Sequence, residues 1–135
     1  MRFVMDHIVL NVEDDEKMMA FYADVLGLAV ERLEEYRQGK IPFPSVRLNA
    51  ETIIDIFPKK MWDPQARSGD GVENMNHFCL VASDKQEFQR LLERLAARLV
   101  DIKEGPVSRW GARGMGTSVY FSDPEGNLIE VRHYD

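Results

Sequence analysis

Met5-Asp6-His7-Ile8-Val9-Leu10 returns as Met75-Asn76-His77-Phe78-Cys79-Leu80, an offset of 70 residues. The same offset carries Asp14 onto Asp84, Met18 onto Phe88, Phe21 onto Leu91, Tyr22 onto Leu92, Val25 onto Leu95 and Leu26 onto Ala96. In both copies the apolar residues recur at i, i+3, i+4, i+7 and i+8, the buried stripe of an amphipathic helix. Chance aligns one such feature, not all of them, so the chain reads as a duplicated supersecondary unit.

Each copy opens with a strand, continues as a helix and returns as strands. The first helix is expected to start at Asp14 or Asp15 and to stop at Gly27, which tolerates the left-handed conformation of a C-terminal cap. The second opens at Asp84, with Glu87 three residues on, as in a capping box. Strands are predicted at Ala29–Leu33, Ser45–Leu48 and Thr52–Phe57 in the first copy. In the second they fall near Val100–Ile102 and at Ser118–Ser122 and Leu128–His133, the last two joined by the turn Asp123-Pro124-Glu125-Gly126-Asn127. The fold class that follows is α+β: two βαβββ modules related by pseudo-twofold symmetry. Their mixed sheets curl into a cleft, with the helices outside. Module 1 covers about 3–58, an irregular linker about 59–73 and module 2 about 74–135, in a single domain.

Composition narrows the function. A net charge of -6 argues against nucleic acid, which needs a basic stripe to displace counterions. No apolar run approaches the roughly 20 residues of a membrane span, and Phe3 already enters strand-like sequence with no basic leader before it. The one cysteine, Cys79, cannot form an internal disulfide, which fits a reducing compartment. A cytoplasmic protein with a small-molecule partner, and neither nucleic acid nor membrane, is expected.

Strand parity places the polar residues. Ile8, Leu10 and Val12 share the face under the helix, which leaves His7 opposite with Met5, Val9 and Asn11; Phe78, Leu80 and Ala82 likewise oppose His77. Ile53-Ile54-Asp55-Ile56 aligns with Leu128-Ile129-Glu130-Val131 at an offset of 75 residues, so five extra residues enter the second module, placed in Trp110–Gly116. A pseudo-twofold axis would bring His7, His77, Asp55 and Glu130 together, a nitrogen and oxygen set suited to one divalent Mn, Fe, Co, Ni or Zn ion. Asp55, a methylene shorter than glutamate, fits as ligand, as base or as a residue behind the ligands. His133 falls on the other face from Glu130 and reads as structural or exposed. Cys79 reads as a small buried hydrophobe despite sharing the face of His77. Arg109, Trp110 and Arg113 fall in the glycine-bearing segment, read either as a mobile lid meeting an anionic substrate or as an exposed basic loop. Arg132, on the face of Glu130, is placed to orient an anion or to pair with Asp55.

His7, the segment Phe21-Tyr22-Ala23-Asp24-Val25-Leu26-Gly27-Leu28 and the run Asp123-Pro124-Glu125-Gly126-Asn127-Leu128-Ile129-Glu130-Val131 resemble the signatures of the vicinal oxygen chelate superfamily, which spans glyoxalases, bleomycin-resistance proteins and dioxygenases. Glu104-Gly105-Pro106-Val107, Gly111-Ala112-Arg113-Gly114 and Ser118-Val119-Tyr120-Phe121 are similar to the glyoxalase-domain-containing protein 5 group, which includes bacterial virulence proteins. The resemblance implies paired βαβββ modules, a homodimer, and a divalent metal held by His7, His77 and Glu130.

Several chemistries are compatible with that set. A glyoxalase I-like lyase or isomerase stabilises an enolate on the metal and moves a proton with a carboxylate, here Asp55 or Glu130. Two positions depart from glyoxalase I: Asn11 stands where an arginine binds the glutathione carboxylate, and Asp55 where a glutamate is usual. An extradiol-type Fe(II) dioxygenase would use His7, His77 and Glu130 as a facial triad, with Tyr120 as acid or base. A fosfomycin-type thiol transferase fits the same three ligands. A bleomycin-resistance-like binding protein would use the cleft without metal, a use that does not require the His/His/Glu set.

Overall fold

Two four-stranded mixed sheets form where the apolar alternation places them. The computed structural model describes residues 1–2, 4–62 and 75–135, and the chain divides into two compact units, Met1–Val72 and Glu73–Asp135. In the first, β1 (His7–Asn11), β4 (Ile53–Phe57), β3 (Ser45–Arg47) and β2 (Ala29–Glu31) lie in that order. β1 runs parallel to β4 and the other pairs are antiparallel. In the second, β5 (Phe78–Val81), β8 (Leu128–His133), β7 (Gly114–Ser122) and β6 (Ile102–Gly111) repeat both the order and the sense.

One face of each sheet is apolar and lies under the helical segment. Leu10, Val12, Val46, Ile54 and Ile56 are buried in the first unit with Met18, Tyr22 and Val25. Val119, Phe121, Ile129 and Val131 are buried in the second with Phe88 and Leu95. Each such side chain stabilises by about 1.5–3 kcal/mol relative to exposure, so parity of the strands is firmly set: a one-residue slip would turn this whole set outward.

The helices depart from expectation in detail. α1 (Asp15–Ala20) starts where Asp14 accepts from the Lys17 N–H at 3.0 Å, but it continues as a π-helical turn, Phe21–Val25, rather than as α-helix to Gly27. Adjacent pairs explain the change. Met18 with Met19, and Phe21 with Tyr22, are all buried, and the wider turn, closed by Leu26 N–H to Phe21 O, lets both members of each pair face inward. α3 (Lys85–Ala97) begins at Asp84, which accepts from the Glu87 N–H at 2.8 Å. The Glu87 carboxylate pairs with Arg90 instead of closing the box.

Strand β2 ends at Glu31, short of the expected Leu33, because Arg32 adopts a left-handed conformation (φ 59°) and α2 (Leu33–Arg37) follows. No periodic stripe announces so short a helix; side-chain bonds to α1 hold it. The Tyr36 hydroxyl donates to Asp15, and the Arg37 guanidinium donates to both oxygens of Glu16, at 3.1 and 2.8 Å. Of the expected linker, Lys59–Met61 forms a 3-10 turn and residues 63–73 lie outside the described residues.

The largest correction concerns β6 and Trp110–Gly116. The short strand expected near Val100–Ile102 is a ten-residue strand that begins at Ile102 and pairs with β7 as a hairpin. Gly111 opposes Gly114 across a two-residue turn, so the segment is an ordered ladder rather than a free loop.

Burial first, and then the Asp15 carboxylate, push the Tyr36 hydroxyl up to about 12. A raised pKa favours the protonated form in the folded state, so this stabilisation is complete below the ordinary value near 10 and is lost as pH rises towards 12. Thermal unfolding of wild type should therefore drop between pH 10 and 12. Tyr36→Phe should lower the melting temperature at pH 8 and flatten that alkaline drop; an unchanged drop would mean another group carries it.

Candidate functional site

Residues paired across adjacent strands share a face, and this places the polar side chains of the first unit. Val9 opposes Asp55, and Asp55 opposes Ser45, so His7, Asp55 and Ser45 lie on the face away from the helix. His7 is half-exposed, and its Nδ1 bonds Asp6 Oδ2 at 2.6 Å. A carboxylate only accepts, so Nδ1 carries a proton, and Nε2 presents a lone pair when the ring is neutral. The bond to Asp6 raises His7 above the usual imidazole range, and Asp55 adds to the effect. Asp55 is buried; its Oδ1 accepts from Ser45 Oγ at 2.6 Å, and Arg32 Nη2 lies 3.7 Å from the same oxygen. Arg32 Nη2 in turn donates to Ser45 Oγ at 2.6 Å.

The second unit repeats the pair and closes it. His77 Nδ1 bonds Asn76 Oδ1 at 2.6 Å, and its Nε2 lies 3.0 Å from Glu130 Oε2. Glu130 Oε1 accepts from Ser118 Oγ at 2.6 Å and from Arg132 Nη1 at 3.4 Å. Burial pushes the Glu130 carboxyl upward, but the Ser118 hydroxyl, His77 and Arg132 outweigh it and hold the group below the ordinary carboxylate value. Tyr120 stands edge-on to His77, ring centroids 5.6 Å apart, and burial and then Glu130 raise its hydroxyl. Cys79 lies opposite Glu130 in the β5–β8 register and is exposed, so it is no core residue as expected, but a thiol on the histidine face. His133 is buried against the Phe88 ring and is structural.

Arg132 is not a free anion-binding group. It is 2% exposed. Its Nη1 donates to Trp110 O at 3.0 Å, and its Nη2 to Arg109 O at 2.7 Å and Gly114 O at 3.3 Å. The glycines of the hairpin make room for it: a Cβ at Gly111 would lie 2.5 Å from the guanidinium carbon, and one at Gly116 would lie 2.6 Å from Nη2. Arg113 stacks on the Tyr134 ring at 4.2 Å, and Arg109 pairs with Glu104. Trp110 is exposed at the hairpin tip.

Sequence reasoning missed the partners. Asp6 and Asn76 stand in the repeat itself, each just before its histidine, and that position was a usable signal. Ser45, Ser118 and Arg32 gave none, since Ser45 opposes Asp55 directly whereas Ser118 opposes Arg132 and reaches Glu130 diagonally.

On the sheet face away from its helical segment, each unit thus carries one histidine and one buried carboxylate, His7 with Asp55 and His77 with Glu130. Among the described residues no three or more His, Cys, Asp or Glu side chains are grouped to hold a metal. The donor chemistry nevertheless fits a divalent cation. His77 Nε2 and Glu130 Oε2 face each other at 3.0 Å, and both are acceptors whenever the ring is neutral with its proton on Nδ1. Two acceptors so placed need a proton or a cation between them.

Residues 4–131 match the family described as the Glyoxalase/Bleomycin resistance protein/Dioxygenase superfamily. The chain is 32% identical over 130 residues to virulence protein STM3117 of Salmonella typhimurium, covering 96% of this chain and 83% of that protein. Its crystal structure is similar over 100% of this chain and 99% of that one, with a TM-score of 0.78 at 26% identity. Glyoxalase domain-containing protein RDO1 of Mycosarcoma maydis is 33% identical over 131 residues, 96% of this chain and 68% of its own length. Lactoylglutathione lyase of Neisseria meningitidis serogroup B is 27% identical over 127 residues, 92% of this chain and 86% of its own length.

Arg132→Met should cost about 3–5 kcal/mol in urea unfolding, because it strands the buried Glu130 carboxylate. Adding Glu130→Gln should recover part of that loss. A double variant no more stable than Arg132→Met would place the cost in the hairpin carbonyls alone.

Proposed function

The chain belongs to the Glyoxalase/Bleomycin resistance protein/Dioxygenase superfamily, and on that premise we propose that it is a divalent-metal enzyme of glyoxalase I-like type, a lyase or isomerase that moves a proton on a small oxygenated substrate. The observation that carries this reading is the repeated pair, a histidine whose Nδ1 is engaged by the preceding side chain and a buried carboxylate on the neighbouring strand of the same sheet. The similarity to lactoylglutathione lyase supports the reaction class.

In this reading His7, His77 and Glu130 would hold the ion. A divalent cation bound there would supply Lewis acidity, stabilising negative charge on a substrate oxygen. Asp6 and Asn76 fix the tautomer of the two imidazoles, so each offers Nε2. Glu130 enters as an ionised donor, since its pKa is held below the ordinary carboxylate value. Asp55 accepts the substrate proton: one oxygen is occupied by Ser45, and the other is left for the transfer. The raised Tyr120 hydroxyl stays protonated at neutral pH and can donate to a substrate oxygen. Trp110, and beside it Arg109 and Arg113, line the substrate approach from the hairpin tip, with Arg132 as the support beneath them. Asn11, half-buried at the end of β1, offers an amide in place of the arginine of glyoxalase I, so recognition of the glutathione carboxylate is not built into this strand.

Wild type loaded with Zn, Ni, Mn, Co or Fe should take up about one ion per chain, and His7→Ala should weaken that uptake about 10–100-fold. Isomerisation of the methylglyoxal–glutathione hemithioacetal under Ni or Zn is the expected activity. No stoichiometric metal in wild type would sink the enzyme reading in favour of a binding protein. Preferential Fe(II) uptake with oxygen consumption on catechols would replace it with a dioxygenase, Tyr120 beside His77 then serving as acid or base.

A further inference from the structure

A single row of side chains crosses the second sheet on the face of His77. Cys79 opposes Glu130, Glu130 opposes Tyr120 and Tyr120 opposes Glu104, so the row runs over β5, β8, β7 and β6. Neighbouring strands lie about 4.8 Å apart, which sets Glu104 roughly 10 Å from Glu130 along it. Arg109 joins the end of this row. It opposes Gly116, which strand alternation puts on the same face as Ser118 and Tyr120.

A regular strand would keep Glu104 and Arg109 apart. They are 5 residues apart in sequence, an odd separation that turns two side chains to opposite faces. The register of β6 on β7 shifts between Glu104 and Val107, where 3 steps on β6 match 2 on β7. Such an irregularity re-aims a side chain, and Arg109 Nη2 donates to Glu104 while Nη1 donates to Ser108 O at 2.9 Å. The pair is open to solvent, with the guanidinium side chain 38% and the carboxylate side chain 55% exposed. An exposed ion pair contributes only about 0–1 kcal/mol, so this guanidinium can exchange one carboxylate for another. Its neighbours cannot: Arg132 is buried on Glu130 and the hairpin carbonyls, and Arg113 is stacked on Tyr134. Burial and then Glu130 raise the Tyr120 hydroxyl, and Arg109 opposes them, which sets its charge beside a group able to donate to a substrate oxygen.

We propose that Arg109 binds a carboxylate of the substrate, and that Glu104 occupies the guanidinium until the substrate displaces it. As a statement about substrate, this rests on the enzyme reading above and narrows it. The small oxygenated substrate is then an acid, and its carboxylate is a group separate from the oxygens that meet His77 and Glu130 at the other end of the row. Every residue involved belongs to the second unit.

Benzoate and its uncharged counterpart benzamide, titrated into the full chain and followed in proton–nitrogen NMR spectra, test the site without turnover. Benzoate should bind wild type and shift the Arg109 Nε–H and the Tyr120 amide, and benzamide should bind about tenfold or more weakly. Glu104→Gln should tighten benzoate about two- to fivefold, because the internal competitor is gone. Arg109→Met should weaken it about tenfold or more, with Arg109→Lys between the two, since lysine keeps the charge but not the fork. Benzamide should respond to none of these changes. Equal benzoate affinity in wild type and Arg109→Met would overturn the proposal, as would an unchanged Kd in Glu104→Gln or shifts that bypass Arg109 and Tyr120. Both side chains are exposed, so their replacement leaves the core intact. A wild type that takes up no divalent metal yet binds benzoate in this pattern would remove the enzyme reading alone and leave Arg109 as the carboxylate site of a binding protein.

Discussion

The parallel pairing of β1 with β4, and of β5 with β8, is the constraint on which both His/carboxylate pairs depend. A strand shows alternate residues to opposite faces, and paired residues share a face. Burial of Leu10, Val12, Ile54 and Ile56 against the first helical segment therefore leaves His7 and Asp55 no choice of side. The same holds for His77 and Glu130 once Ile129 and Val131 are buried. The polar constellation is thus fixed by apolar residues that take no part in it. Their burial energy, at about 1.5–3 kcal/mol each, exceeds anything a surface histidine could contribute to the choice.

Placing carboxylates on a covered sheet face has a cost, since burial favours the neutral acid. Both units meet it in the same way, with a buried serine hydroxyl and an arginine on one carboxylate oxygen. In the second unit the arginine does more. Arg132 ties Glu130 to the carbonyls of Arg109, Trp110 and Gly114, so the charge of the carboxylate and the shape of the hairpin are set by one side chain. Gly111 and Gly116 belong to that arrangement, because any Cβ there would occupy the guanidinium's place. A glycine-bearing run that reads as a loop is here a socket.

This explains what the sequence could and could not disclose. The repeat, the strand faces, the starts of α1 and α3 and the positions of the four repeat-related residues were all legible, because periodicity and offset report burial directly. The π-helical turn was not, since Phe21, Tyr22 and Val25 fit an ordinary helical stripe equally well. α2 was not, because Tyr36 and Arg37 hold it by bonds to Asp15 and Glu16, residues 21 positions earlier. Arg132 was placed on the correct face, yet its commitment to three carbonyls depends on a hairpin whose ladder no local propensity requires.

Duplication explains why the two halves are alike, and their divergence is where chemistry enters. A perfectly symmetric duplication would give the two His/carboxylate pairs the same contacts. Here the equivalence is broken by one methylene and one register step. Glu130 reaches across to His77 because its side chain is longer and its serine partner sits diagonally, one pleat along. Asp55 stops short because its serine stands directly opposite and holds it in place. The helix-facing residues keep the same pattern in both copies, so the fold tolerates this difference without change. Like pleats with unlike side-chain lengths are sufficient to let the carboxylate of one unit meet its histidine and make that of the other stop short.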